Sequence, residues 1–151
     1  QFAKMQSQEQ TTTIDLFNLF HEIEKNLDNN NLIIVNIKNI FLKGRLMALK
    51  RCFENVIQNG LSYGKNVYIE LQVGSKRVNI NIEDDGPGIP EDQYKNVFKP
   101  FFRLDKSRSL NHSGVGLGLA IVEDIINSHG GNIQLGKSKY NGLQVKISLP
   151  F

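Results

Sequence analysis

Asp84-Asp85-Gly86-Pro87-Gly88-Ile89-Pro90 and Gly114-Val115-Gly116-Leu117-Gly118-Leu119 bracket the stretch on which this chain is organised. About 25 residues separate the two glycine clusters, more than the roughly 12–15 beyond which a connection is usually functional or disordered. Glycines at both ends permit backbone angles closed to other residues and let a ligand approach the main chain. The stretch therefore reads as a phosphate-binding lid, at about 89–115, hinged at each end.

Working outward, Val67–Val73 alternates as a strand, Gly74-Ser75-Lys76 turns, and Val78–Ile82 alternates again into Asp84. That is a hairpin feeding the lid. Beyond the lid, Gly116 to His129 reads as a helix with Leu119, Val122, Ile125 and Ile126 inward, ended by Gly130-Gly131. Asn132–Leu135 and Leu143–Leu149 are the last strands, joined by a turn near Asn141-Gly142. Upstream, Leu46, Leu49, Phe53, Val56 and Ile57 mark a helix from about Arg45 to Gly60. Leu32–Ile37 is a strand, and Ile40–Leu42 a shorter one. Thr11–Thr13 offers caps for a helix carrying Leu16, Leu19, Phe20, Ile23 and Leu27, with Asp15 in its first turn. The order predicts an α/β (α+β) two-layer sandwich: a mixed, mostly antiparallel sheet with three helices on one face. Residues 1–12 read as the remnant of an upstream helix or linker, and 13–151 as one domain.

Composition narrows the field. The 151 residues are 40% hydrophobic and 22% charged, enough for a core, and carry net charge +3 with pI near 9.0. That suits an anionic small ligand; with no Lys/Arg run above two residues it does not argue for nucleic acid. One cysteine, Cys52, excludes an internal disulfide framework. His21, His112 and His129 share no metal-ligand spacing with one another or with Cys52. No apolar run approaches the ~20 residues of a membrane span.

Asn55 and Asn59, four apart, share a helix face. An amide oxygen can ligate Mg²⁺; the alternative is a C-terminal cap for one and solvent for the other. Asp84, at the end of a buried strand, needs hydrogen bonds. It can accept from an exocyclic amine such as that of adenine, or simply begin a turn. Gly114-x-Gly116-x-Gly118 opens a helix, whose free N–H groups suit phosphate, but it is neither a dinucleotide fingerprint nor a Walker A loop. Phe98, Phe101 and Phe102 around Lys99-Pro100 either dock the lid or belong to the core. Arg103, Lys106 and Arg108 either reach phosphate or face solvent.

Together these pieces resemble the ATP-binding catalytic domain of bacterial two-component sensor histidine kinases, in the superfamily shared with gyrase B, Hsp90 and MutL (GHKL). The boxes occur in order: Glu54-Asn55-Val56-Ile57-Gln58-Asn59-Gly60-Leu61-Ser62-Tyr63, then Asp84–Gly88, Phe98–Arg103, Gly114–Leu119, and a final Gly142-Leu143. The lid's wording is closest to osmosensor-type kinases. The resemblance implies a Bergerat-type fold that binds ATP and Mg²⁺. Asn59 would be the metal ligand and Asn55 its support. Asp84 would bind the adenine amine, Gly86 and Gly88 would shape the base pocket, Tyr63 would lie beside the adenine or ribose, and Ile89 and Phe98 are further candidate nucleotide-binding residues. Arg103 would approach the phosphates, and Leu117, Gly118 and Leu119 would offer them backbone N–H groups, with Lys106, Gly114 and Gly116 as further candidate nucleotide-binding residues. Asn55 and Arg103 are the candidate catalytic residues.

The implied acceptor is a histidine on a separate dimerisation domain, absent from this sequence, with a response regulator downstream. The implied setting is the cytoplasmic part of an inner-membrane-anchored kinase, the fragment itself being monomeric. Two departures stand out: Ser62 replaces a common Lys or Arg, for which Lys65 or Lys106 could substitute, and Gly60 replaces the usual Ala, with an expected looser helix end. A self-contained ATPase clamp is the rival reading, but it needs a glutamate base where Asn55 stands. Glu54 is off by about 100° around the helix. An anti-sigma-type kinase or degenerate binding module is the other rival, against which the intact Asn59, Asp84 and lid glycines argue.

Overall fold

A computed structural model describes residues 9–27, 31–99 and 118–151. In chain order the elements are β1 (Thr12–Asp15), α1 (Leu16–Asn26), β2 (Leu32–Asn36), β3 (Phe41–Gly44), α2 (Leu46–Tyr63), β4 (Val67–Val73), β5 (Arg77–Asp84), α3 (Gly118–Ser128), β6 (Asn132–Lys137) and β7 (Leu143–Pro150). Single 3₁₀ turns lie at Glu91–Gln93 and Asn96–Phe98.

Five strands form one sheet in the order β2-β4-β5-β7-β6. β2 runs parallel to β4, and the remaining pairs are antiparallel. Period-two alternation sends Val67, Ile69 and Leu71, Val78, Ile80 and Ile82, and Val145, Ile147 and Leu149 to one face, where all are buried. α2 and α3 cover that face, and α1 packs on α2 with the Phe20 and Phe53 rings 4.8 Å apart. The expected two-layer sandwich with three helices is what the described residues form.

Three local expectations are corrected. Thr12–Asp15 is a strand, paired with Phe41–Gly44 in a separate two-stranded ribbon, because Ile14 buries against Leu42. Asp15 itself is the N-cap of α1, accepting from Asn18 N at 3.3 Å. α2 does not stop at Gly60 but continues to Tyr63, with Gly64 as its C-cap. Gly60 is there for space: a β-carbon at 60 would lie 2.6 Å from Val67 Cγ2. Asn59 therefore caps nothing, and Gly60 does not loosen a helix end.

α2 also begins in a way the sequence hides. Its N-cap residue, Arg45, makes no side-chain cap bond. Glu9 supplies one from far along the chain, accepting from Met47 N at 2.6 Å and Ala48 N at 3.1 Å. These are two of the orphan donors that an N-cap side chain ordinarily satisfies, and a carboxylate there also meets the positive end of the helix dipole.

Candidate functional site

The site is built where β5 ends. In the β4–β5 register Asp84 lies opposite Val67, on the helix-covered face, and is 8% exposed. Its Oδ1 accepts from Gly86 N at 2.9 Å and Leu143 N at 3.1 Å. Burial raises the Asp84 pKa; the two N–H donors oppose the rise without cancelling it. Both hydrogen bonds fall on Oδ1, which leaves Oδ2 as the acceptor on the Gly60 side, 3.7 Å from where a β-carbon at 60 would be.

The adjacent carboxylate has a different task. Asp85 Oδ1 accepts from Lys65 N at 2.7 Å and Asn66 N at 2.9 Å, and Oδ2 from Asn66 Nδ2 at 3.2 Å. Desolvation pushes its pKa up, but the bonds from Asn66 and Lys65 outweigh it and hold it below the usual carboxylate range. Asp85 thus ties the end of β5 to the α2–β4 loop. Gly86 packs into the same junction, where a β-carbon would sit 2.7 Å from Tyr63 O.

A cleft of about 760 Å³, counting its open mouth, lies between α2, the end of β5 and the start of α3. Asn59, Tyr63, Asp84, Gly88, Ile89 and Leu119 share its wall, with Val56, Gly60, Val67, Ile82, Pro87, Val97, Leu143 and Val145 supplying most of the apolar lining. Gly88 holds φ +75°, which only glycine adopts readily. The buried Asn59 Oδ1 has no hydrogen-bond partner among the described residues. An orphaned amide oxygen costs free energy unless a ligand meets it, and a hard oxygen donor of this kind fits Mg²⁺. Among the described residues no group of three or more His, Cys, Asp or Glu side chains could hold a metal ion. Asn59 would therefore need its ligand to bring the other oxygens.

Several expected site residues lie elsewhere. Asn55, Gly86 and Phe98 are not on the cleft wall, and Phe98 packs partly buried against the core. Arg103, Lys106, Gly114, Gly116 and Leu117 fall outside the described residues, as do Phe101, Phe102 and most of the proposed lid. The lid's first part is packed, since Val97 is buried in the core and lines the cleft. Ser62 turns its hydroxyl back to Gln58 O at 2.9 Å, the usual competition of a helical serine for its own backbone. Toward the described residues Lys65 bonds through its backbone: its N–H to Asp85 and its C=O to Asn31 Nδ2 at 2.6 Å.

Sequence reasoning missed the apolar wall and the part played by Gly142. A β-carbon at 142 would fall on Asp84 Oδ1 and the Asp84 carbonyl, so only glycine lets the β6–β7 turn close over that carboxylate. The signals available were the Asn141-Gly142 dipeptide, which reads as a turn, and the place of Gly142-Leu143 as the last glycine box of the resemblance; neither announces a contact with Asp84.

Chemically, the cleft offers a carboxylate oxygen outside the two backbone bonds of Asp84 and an amide oxygen with no partner among the described residues, beside an apolar lining. Residues 44–151 match the family described as histidine kinase-, DNA gyrase B-, and HSP90-like ATPase. The chain is 40% identical over 107 residues to the sensor histidine kinase GtrS of Pseudomonas aeruginosa, a match covering 71% of this chain and 22% of that protein. It thus spans about a fifth of that relative's length. Among solved structures, the mycobacterial sensor histidine kinase MprB aligns with a TM-score of 0.80 at 25% identity, over 93% of this chain and 97% of that one. The NMR structure of the histidine kinase domain of the Escherichia coli osmosensor EnvZ aligns with a TM-score of 0.70 at 32% identity, over 95% and 91%.

Proposed function

The chain belongs to the histidine kinase-, DNA gyrase B- and HSP90-like ATPase family, and we propose that it is the catalytic domain of a sensor histidine kinase. It binds Mg–ATP and donates the γ-phosphoryl group to a histidine on the dimerisation domain of the same full-length kinase. A response regulator receives the group in turn. No helix among the described residues is long and apolar enough to cross a membrane; the domain's place is the cytoplasmic side of a membrane-anchored kinase.

One observation carries the reading: Asp84 and the unpartnered Asn59 Oδ1 meet in a single cleft. Asp84 Oδ2 accepts from the adenine 6-amino group while Gly88, Ile89 and Tyr63 border the ring. Leu119 closes the pocket from the head of α3. Asn59 would hold Mg²⁺, and Asn55, one turn earlier on α2 though off the cleft wall, would support the metal or the phosphates. When bound, the metal supplies charge neutralisation along the phosphate tail. Arg103, Lys106 and the backbone N–H groups from Gly114 to Leu119 take the phosphate oxygens, as a helix N-terminus is suited to do. Phosphoryl transfer asks mainly for positioning and charge stabilisation, so no side chain of this domain need act as a base.

Against a hydrolytic clamp stands the amide at position 55, which has no useful basicity. The test mixes the chain with ATP, Mg²⁺ and a separately prepared dimerisation domain of a related kinase. The expected product is acid-labile phosphohistidine on the added domain. Steady ATP turnover above roughly 1 s⁻¹ without acceptor, within the usual enzyme range, would instead establish the clamp.

A further inference from the structure

The β6–β7 turn, Ser138–Gly142, touches both faces of the sheet. It is folded on itself by Ser138 N to Gly142 O at 2.9 Å and Tyr140 N to Ser138 Oγ at 2.8 Å, with Asn141 at φ +79°. On the cleft side it ends in Gly142 packed on Asp84 and in the Leu143 N–H on Asp84 Oδ1. Gly142 O would also lie 3.5 Å from a β-carbon at Gly88.

On the other face the same turn is held by side chains with no part in the cleft chemistry. Glu83 precedes Asp84 and so points oppositely. Although 4% exposed, it accepts from Lys139 N at 3.0 Å. Tyr68, opposite Glu83 in the β4–β5 register, stacks its ring on Tyr140 with centroids 3.7 Å apart and planes 10° from parallel. Lys139 Nζ adds an ion pair to Glu70 at 3.5 Å.

We infer that Tyr140, stacked on Tyr68 across the sheet from the cleft, is a positioning residue that fixes which Asp84 oxygen faces the nucleotide base. The inference rests on the base reading of Asp84 above. The stack holds the turn down; the turn keeps the Leu143 N–H on Oδ1; Oδ1 so committed leaves Oδ2 alone to accept. With the turn released, the carboxylate can rotate and share its oxygens between Gly86 N–H and the cleft.

The experiment compares ATP with purine riboside triphosphate, which lacks the 6-amino group, by calorimetric titration of the 151-residue chain and its Tyr140→Ala, Tyr140→Phe and Tyr68→Thr variants. The wild type should prefer ATP. Tyr140→Ala should lose about tenfold in ATP affinity, the scale of one hydrogen bond to a charged group, while affinity for the analogue holds within about twofold. Tyr140→Phe keeps the ring and should restore the preference. Should Tyr140→Ala fail to fold, Tyr68→Thr removes the other ring while keeping a strand-favouring residue, and should lose the preference alike. Equal weakening of both nucleotides would reduce the stack to a merely structural contact and overturn the inference, as would an unchanged preference in the variants. A wild type with no preference would sink the base reading, and the inference with it.

Discussion

Asp84→Asn separates binding from folding at the centre of the site. Oδ1 accepts from two backbone N–H groups, so the amide oxygen of asparagine must take that place, since an NH₂ group there would set donor against donor. The NH₂ is then forced into the position of Oδ2. An acceptor becomes a donor facing the adenine amine, and a hydrogen bond to a charged group, about 1.5–3 kcal/mol, is lost. Nucleotide affinity should fall about ten- to hundredfold. Stability should move the other way. Burial raises the Asp84 pKa in the folded state, so this carboxyl's contribution to stability is fully present below its unfolded pKa and is lost as pH rises through the folded value. At neutral pH the ionised group is a burden that asparagine removes. The variant should therefore melt above the wild type at pH 7, and the gap should close as the pH drops toward the carboxyl range. Titration with a fluorescent ATP analogue and thermal melts across pH read both effects. A variant that melts lower at pH 7 and binds no worse would refute the reasoning on both counts.

Further outcomes follow from other contacts. Asn59→Ala should abolish the Mg²⁺ dependence of nucleotide affinity; titrations with and without the metal that stay different would exclude Asn59 as its ligand. Glu9→Ala should cost about 1 kcal/mol in chemical denaturation, the scale of a lost N-cap. His129 Nδ1 pairs with Ile125 O at 2.8 Å, and its Nε2 accepts from Arg45 N at 3.0 Å. Burial first, and the Arg45 charge after it, lower the His129 pKa from 6.5, while the Ile125 carbonyl and Glu9 pull it up. The stabilisation is thus present above pH 6.5 and lost as pH falls through the depressed folded value. His129→Gln should flatten that part of the pH–stability profile, and an unchanged slope would dismiss the residue as its source.

Much of the fold could be read from local pattern because alternation and helical spacing are local signals. Val67–Val73 and Val78–Ile82 declare a hairpin without help from the rest of the chain. Asp84 was legible for the same reason, as a carboxylate at the end of an apolar strand. What could not be read depends on meetings between distant segments. Thr12–Asp15 becomes a strand only because Phe41–Gly44 is there to pair with it. Gly60 looks like a helix stop until Val67 is seen pressing on it, and nothing near Arg45 announces that Glu9 caps its helix. The cleft's apolar wall was hidden for a related reason: Val56, Ile82 and Val145 have the same signature as any core residue, and only their place beside Asp84 gives them another use.

Gly60 and Val67 carry a consequence for how this sequence can change. Valine's side chain is stiff about its first torsion, and its Cγ2 sits 2.6 Å from the point where a methyl at 60 would project. Introducing alanine at 60 first would drive two methyls together beside Asp84, whereas trimming position 67 first would open a hole that the new methyl then fills. The two steps reach the same sequence, but only one order avoids the clash on the way.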